Sequence, residues 1–223
     1  MVGRLESNPW QGEAALSTIA KTATRWWLGT RNMKKRIIVG LSGSSGVIYG
    51  IRTLLHLQAM PDVESHLVMS EGAELTIRIE TDYDIDAVKQ MADVVHSPDN
   101  LAATISSGSF KTAGMIVIPC SVKSLSGIVN SYADGLLARA ADVCLKEKRK
   151  LVLVVRETPL HKGHLEMMVR AADLGALVLP PMPAFYHQPK TIEDIIDQTI
   201  GKAFDYFELE HDLYRRWGGG SSK

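Results

Sequence analysis

From Arg36 onward the chain repeats one pattern: a short β-branched or aliphatic run, a turn of small residues, then a stretch whose apolar positions recur every three or four residues. The apolar runs predict strands at Arg36–Leu41, Ser65–Met69, Met115–Ile118, Leu151–Val155 and Ala176–Leu179. The helical period predicts helices at Val47–Gln58, Glu71–Ile79, Ser124–Asn130, Gly135–Lys146, Leu165–Leu174 and Ile192–Phe207. Strands that are apolar throughout, separated by amphipathic helices, imply a parallel sheet whose crossover helices bury both faces. The expected fold is therefore α/β, a three-layer sandwich around a parallel sheet, Rossmann/flavodoxin-like. Ligands of such sheets bind beyond the carboxyl ends of the strands, where the strand order reverses, so the chemistry is to be sought in the turns that follow the strands.

The first of these turns is Gly40-Leu41-Ser42-Gly43-Ser44-Ser45-Gly46, leading straight into a helix. Backbone amides and a helix start in that order cradle an anion. Its spacing is GxxGxxG rather than GxGxxG, and the second strand ends in Met69-Ser70 rather than in an acidic residue for an adenosine ribose. A mononucleotide such as FMN fits this better than a nicotinamide dinucleotide. The third strand runs into Pro119-Cys120-Ser121-Val122-Lys123-Ser124-Leu125-Ser126-Gly127, a second hydroxyl-rich turn, and Ile105–Ser109 is another small polar loop. The charged pair Arg156-Glu157 follows the fourth strand, and unpaired charges are seldom core. After the fifth, the stiff segment Pro180-Pro181-Met182-Pro183-Ala184-Phe185-Tyr186-His187 is expected to aim Tyr186 into the same crevice. Cys120 reads as a small buried hydrophobe, and His161, His164 and His187 lack the spacing of a single-helix metal pair, so no metal is assigned.

Composition narrows the partners. Lys+Arg 25 against Asp+Glu 25 leaves no net charge, which disfavours nucleic acid and acidic lipid as ligands. The two cysteines form no Cys-x-x-Cys pair, and no apolar run reaches the roughly 18 to 20 residues that span a bilayer, so a cytoplasmic protein without a membrane anchor is expected. Residues 1–32 hold Trp10, Trp26 and Trp27 but no apolar core of a secretory signal. Because a strand begins just after Met33-Lys34-Lys35, Met33 reads as a natural start and residues 1–32 as a leader or appended extension, with a short helix around Ala14 to Trp27 able to pack on a neighbour. Residues 33–217 then form one flavin-binding domain, and 218–223 a flexible tail of linker composition.

The motifs GLSGSSG, Glu80-Thr81-Asp82, ISSGSF, MIVIPCS, ARAADVCLKEKRKLVLVVRETPL, HLEMM, LPPMPAFYHQP and RRWG follow one another from Lys35 to Gly218. In this order they resemble the UbiX-type flavin prenyltransferases, including the branch encoded beside aromatic-acid decarboxylases. The resemblance implies transfer of a dimethylallyl group from dimethylallyl monophosphate to reduced FMN, adding a fourth ring and making the cofactor of UbiD-type decarboxylases. It implies flavin contacts at Gly43, Ser44, Ser45, Ser70, Ser121, Val122, Lys123, Ser124, Arg139 and Arg156, and donor-phosphate contacts at Lys146, Arg156, Glu157, Tyr186 and Lys202. Glu80 would lie by the flavin and the prenyl group, and Trp217 would close the pocket. Glu80, Lys146, Glu157 and Trp217 are the catalytic candidates it implies. The chain departs from the family in Val122 and Lys123, where small residues are usual, in Lys202, where arginine is common, and in the extra leader.

Physical chemistry agrees with the implied reaction. Breaking an allylic carbon to phosphate bond leaves a cation, which an aromatic face such as that of Trp217 stabilises, while Lys146, Arg156 and Lys202 hold the departing phosphate without an Asp-rich magnesium motif. Glu157, next to Arg156, is a candidate proton donor to that leaving group if the anion raises its pKa. The family further implies a homo-oligomer, in dodecameric shells with sites between subunits, where Trp26, Trp27 or Trp217 would be interface aromatics. Two other readings stay open: a non-catalytic flavin-carrying decarboxylase subunit, and a flavoprotein cysteine-type decarboxylase. Against the latter, its PASANT-like and PxMNxxMW-like segments are replaced by PCSVKS and PPMPAFYHQ.

Overall fold

A computed structural model describes residues 34–218. Along these the elements run β1 (Lys35–Leu41), α1 (Val47–Gln58), β2 (Val63–Met69), α2 (Glu71–Glu80), α3 (Ile85–Lys89), β3 (Val94–His96), a 3-10 turn (Thr104–Ser106), β4 (Gly114–Cys120), α4 (Val122–Val129), α5 (Leu136–Lys146), β5 (Lys150–Val155), α6 (Lys162–Asp173), β6 (Leu177–Val178) and α7 (Ile192–Phe207). The six strands form one sheet in the order β3-β2-β1-β4-β5-β6, with every pairing parallel. The order reverses between β1 and β4, so their carboxyl ends diverge around a crevice.

Strand alternation divides the core into two. Ile37, Val39 and Leu41 of β1, Ile116 and Ile118 of β4, and Val152 and Val154 of β5 face α1, α2, α3 and α7. Ile38, Met115, Val117, Leu151, Leu153 and Val155 point the other way, against α4, α5 and α6. All of these strand residues are buried to 2% exposure or less, which is why the runs read as uninterrupted apolar sequence. The expected three-layer α/β sandwich is the fold observed.

The differences from expectation lie at edges and caps. The three-residue strand β3 and the one-turn helix α3 are not foreseen, because Val94–His96 pairs only with β2 and is too short for a period to register. Helix α6 begins at Lys162 rather than Leu165 because His161, an uncommon cap, accepts the Gly163 amide on Nδ1 at 3.1 Å. Helix α4 begins at Val122 rather than Ser124 because Ser121, not a residue further on, is its N-cap. Among the described residues no helix is long and apolar enough to cross a membrane. The helix expected around Ala14 to Trp27 and the tail from residue 219 lie outside the described residues.

Candidate active site

The crevice is built by tying two turns together. Ser42, at the end of β1, is buried; its Oγ donates to the Pro119 carbonyl at 2.9 Å and accepts the Ser121 amide at 2.7 Å. The turn after β1 also rests directly on α2: a Cβ at Gly43 would lie 2.8 Å from backbone atoms of Gly72. Gly46 has φ 91°, in the left-handed region that favours glycine. Backbone geometry thus accounts for these glycines, and the hydroxyls remain to be explained. Ser70 caps α2 by accepting the Ala73 amide at 3.2 Å, and Ser121 caps α4 by accepting the Ser124 amide at 3.2 Å. Ser44 Oγ is buried and meets no hydrogen-bond partner among the described residues.

Between the turns opens a cleft of about 1140 Å³. Gly43, Ser44, Ser45, Ser70, Ser121, Val122, Lys123, Ser124, Arg156 and Glu157 all line it, so ten of the residues singled out in the sequence come together. The amino ends of α2, α4 and α5 border it, and a helix start carries a partial positive charge towards such a space. Arg156 adds a full positive charge; burial pushes the neighbouring Tyr49 phenol up, and this guanidinium works against that rise. Carboxylates of Glu71, Asp99, Asp134 and Glu157 stand on the walls, and Lys123 faces Asp134 at 3.8 Å. A buried hydroxyl without a partner, helix amino ends and a guanidinium are the donor set of a phosphate, and the volume accommodates a mononucleotide carrying a ring system.

The remaining candidates lie outside that lining. Glu80 stands at the end of α2 and its Oε2 accepts the Gly46 amide at 2.7 Å, so it braces the glycine turn from beside the cleft. Arg139 donates to the Ser106 carbonyl at 3.2 Å and pairs with Asp142 at 2.9 Å. Lys146 pairs with Glu147 at 2.5 Å at the far end of α5, roughly 15 Å along the axis from the end that borders the cleft. Tyr186, Lys202 and Trp217 gather elsewhere. The Tyr186 and Trp217 rings meet edge to face at 6.2 Å between centroids, and Lys202 Nζ lies 5.1 Å from the Tyr214 ring centre. Tyr186, expected to point into the cleft, is not among its lining residues in the single chain; its ring packs against His187 and Trp217.

The contacts that hold these groups leave no local signal in the sequence. Asp205 accepts from His211 Nε2 at 3.0 Å, Tyr214 Oη at 2.5 Å and Arg216 at 2.6 Å, pinning the segment after α7 and with it Trp217. Pro98 and Asp99 line the cleft because they follow β3; a strand assigned at Val94–His96 would have marked them. Ser42 was visible only as one more hydroxyl of its turn.

The same architecture occurs in known proteins. Residues 28–213 match the Flavoprotein family. The flavin prenyltransferase UbiX of Escherichia coli K12 is 56% identical over 187 residues, covering 83% of this chain and 99% of that protein. The UbiX of Thauera aromatica is 55% identical over 188 residues, covering 84% and 96%. The crystal structure of AnUbiX in complex with FMN and dimethylallyl pyrophosphate superposes with a TM-score of 0.83 at 47% identity, covering 85% of this chain and all of that one. A dodecameric FMN-dependent UbiX-like decarboxylase from Escherichia coli O157:H7 gives 0.81 at 53% identity over 82% of this chain and all of that one. The peptidyl-cysteine decarboxylase EpiD reaches only 0.56 at 16% identity, a likeness of fold alone. An identity above one half across nearly the full length of those relatives, on a sheet whose switch point opens into a serine-capped cleft, makes this chain a member of the UbiX-type flavin prenyltransferases.

Proposed function

We propose that this chain transfers a dimethylallyl group from dimethylallyl monophosphate to reduced FMN held in the cleft, and that the prenylated flavin passes to a UbiD-type aromatic-acid decarboxylase. The observation that carries the reading is the Ser44 hydroxyl, buried at the cleft without a partner among the described residues, near three helix amino ends and Arg156. When bound, reduced FMN supplies the electron-rich ring that accepts the allyl group.

The chain's own residues divide the remaining work. As the allylic C–O bond breaks, its electron pair leaves with the phosphate. Arg156, Lys202, Lys146 and the Tyr186 hydroxyl hold the growing negative charge of the donor phosphate, and Glu157 gives the leaving oxygen a proton. Trp217, packed on Tyr186, presents an aromatic face to the allyl cation. Glu80 keeps the glycine turn in shape by holding the Gly46 amide and stands beside the flavin and prenyl groups. Flavin contacts are assigned to Gly43, Ser44, Ser45, Ser70, Ser121, Val122, Lys123, Ser124 and Arg156.

Arg139 and Lys146 do not line the cleft of their own chain, and both are assigned to the cleft of a neighbouring copy. The chain accordingly works as a homo-oligomer, on the pattern of its dodecameric relative. Anaerobic incubation of the protein with reduced FMN and dimethylallyl monophosphate, followed by mass analysis of the released flavin, tests the proposal. One added C5H8 unit is expected. Unmodified flavin throughout would overturn the activity and favour a flavin-carrying subunit.

A further inference from the structure

We propose that Gln198 is a positioning residue that turns the Tyr186 hydroxyl towards the phosphate of the prenyl donor, an inference that rests on the assignment of Tyr186 as a donor contact. Gln198 lies on α7 and is only 6% exposed, a setting in which a primary amide must find hydrogen-bond partners. Its Nε2 donates to Tyr186 Oη at 3.4 Å. A phenol oxygen that accepts one hydrogen bond keeps its own proton for another acceptor. Gln198 thus settles which way the hydroxyl faces.

The rest of the tyrosine is already fixed. His187 packs on its ring at 5.6 Å and 73°, and Trp217 at 6.2 Å and 86°. With the ring plane held, rotation about the C–O bond is the freedom left, and the amide removes it. Tyr186 remains 40% exposed, which leaves the proton free to reach a ligand. Lys202 follows Gln198 by one turn on the same helix, so one face of α7 offers both the amide that orients the phenol and the ammonium assigned to the phosphate. A glutamate at 198 would do the reverse: its carboxylate would draw the phenolic proton to itself and place negative charge near a phosphate.

The test measures the affinity of FMN-loaded protein for dimethylallyl monophosphate with the flavin kept oxidised, so that binding is read without turnover. Gln198→Leu, Gln198→Glu, Tyr186→Phe and the pair Gln198→Leu with Tyr186→Phe are compared, together with FMN affinity. Gln198→Leu should weaken donor binding about five- to tenfold, as expected for one lost hydrogen bond, and Gln198→Glu more, with FMN affinity unchanged. The pair should be no worse than Tyr186→Phe alone, because the amide acts through the phenol. Independent, multiplying losses, or full donor affinity in Gln198→Leu beside a loss in Tyr186→Phe, would overturn the role of Gln198. Full donor affinity in Tyr186→Phe would instead overturn the assignment of Tyr186, and the inference with it. Should Gln198→Leu not fold, Gln198→Met takes its place in the same cycle under the same criteria.

Discussion

Ser42 Oγ accepts the amide of Ser121, 79 residues away, at 2.7 Å, and this bond joins the two hydroxyl-rich turns on either side of the switch point. The Pro119 carbonyl keeps a second donor, the Ser42 amide at 3.3 Å, so the group stranded by Ser42→Ala is the Ser121 N–H. Leaving one buried donor unpaired costs about 1–3 kcal/mol. Ser42→Ala should lower the denaturant midpoint by a corresponding amount and also loosen FMN binding. Chemical denaturation and a flavin titration of the same variant check both.

Ser44→Ala should behave in the opposite way. Its Oγ meets no partner among the described residues, so its loss should leave the unfolding transition where it is. FMN affinity should fall roughly tenfold, the value of one hydrogen bond to a charged group. An unchanged flavin dissociation constant would remove Ser44 from the phosphate site.

Lys202→Ala should weaken use of dimethylallyl monophosphate by about one to two orders of magnitude, as expected for a charge-assisted hydrogen bond, and leave FMN affinity alone. Lys202→Arg should keep or improve turnover, since the guanidinium adds a planar fork to the same charge. The hydrogen bond with Tyr214 raises the Lys202 pKa, against the opposing effect of burial, so the side chain stays cationic and its contribution should be flat through neutral pH. Steady-state kinetics with varied donor decide; unchanged KM and kcat in Lys202→Ala would make it a surface lysine.

Burial would push the Asp205 carboxyl up, but hydrogen bonds from Arg216, Tyr214 and His211 more than reverse this and hold it at about 2. A depressed pKa stabilises above the unfolded value, near 4, and that contribution is lost as pH falls through about 2. The segment from Leu209 to Trp217 should therefore stay docked down to strongly acidic pH. Asp205→Asn should release it at neutral pH, seen as faster proteolysis after α7 and a raised donor KM, with flavin binding retained.

Burial also pushes the thiols of Cys120 and Cys144 up to about 12. At pH 8 both should resist iodoacetamide in the native protein and react in denaturant. Stoichiometric native alkylation would mean that the sheet opens locally near β4 or α5.

The sheet was legible because its signals are local and strong. The apolar runs of β1, β4 and β5 are buried on both faces, and α1 and α7 begin and end where the period changes. Strand β3 was not legible, since an edge of three residues carries no pattern of its own. The lining serines and Arg156 could be read because each directly follows a strand. Tyr186 could be placed after a strand but not aimed, because its direction comes from His187 and Trp217, and Trp217 is set by Asp205 through contacts that no spacing in the chain reveals.

The meeting of Gly43 and Gly72 has a practical consequence for anyone reshaping the substrate range of this enzyme. Backbone touches backbone there, and any side chain on Gly43 would have to part the turn from α2. The floor of the cleft is in this sense a welded seam, closed to substitution from the start. The opposite rim is not: Val122 and Lys123 line it with side chains, and that of Lys123 is 88% exposed. Variation in what the cleft admits has to be written at that rim, in side chains that can change without moving the backbone beneath them.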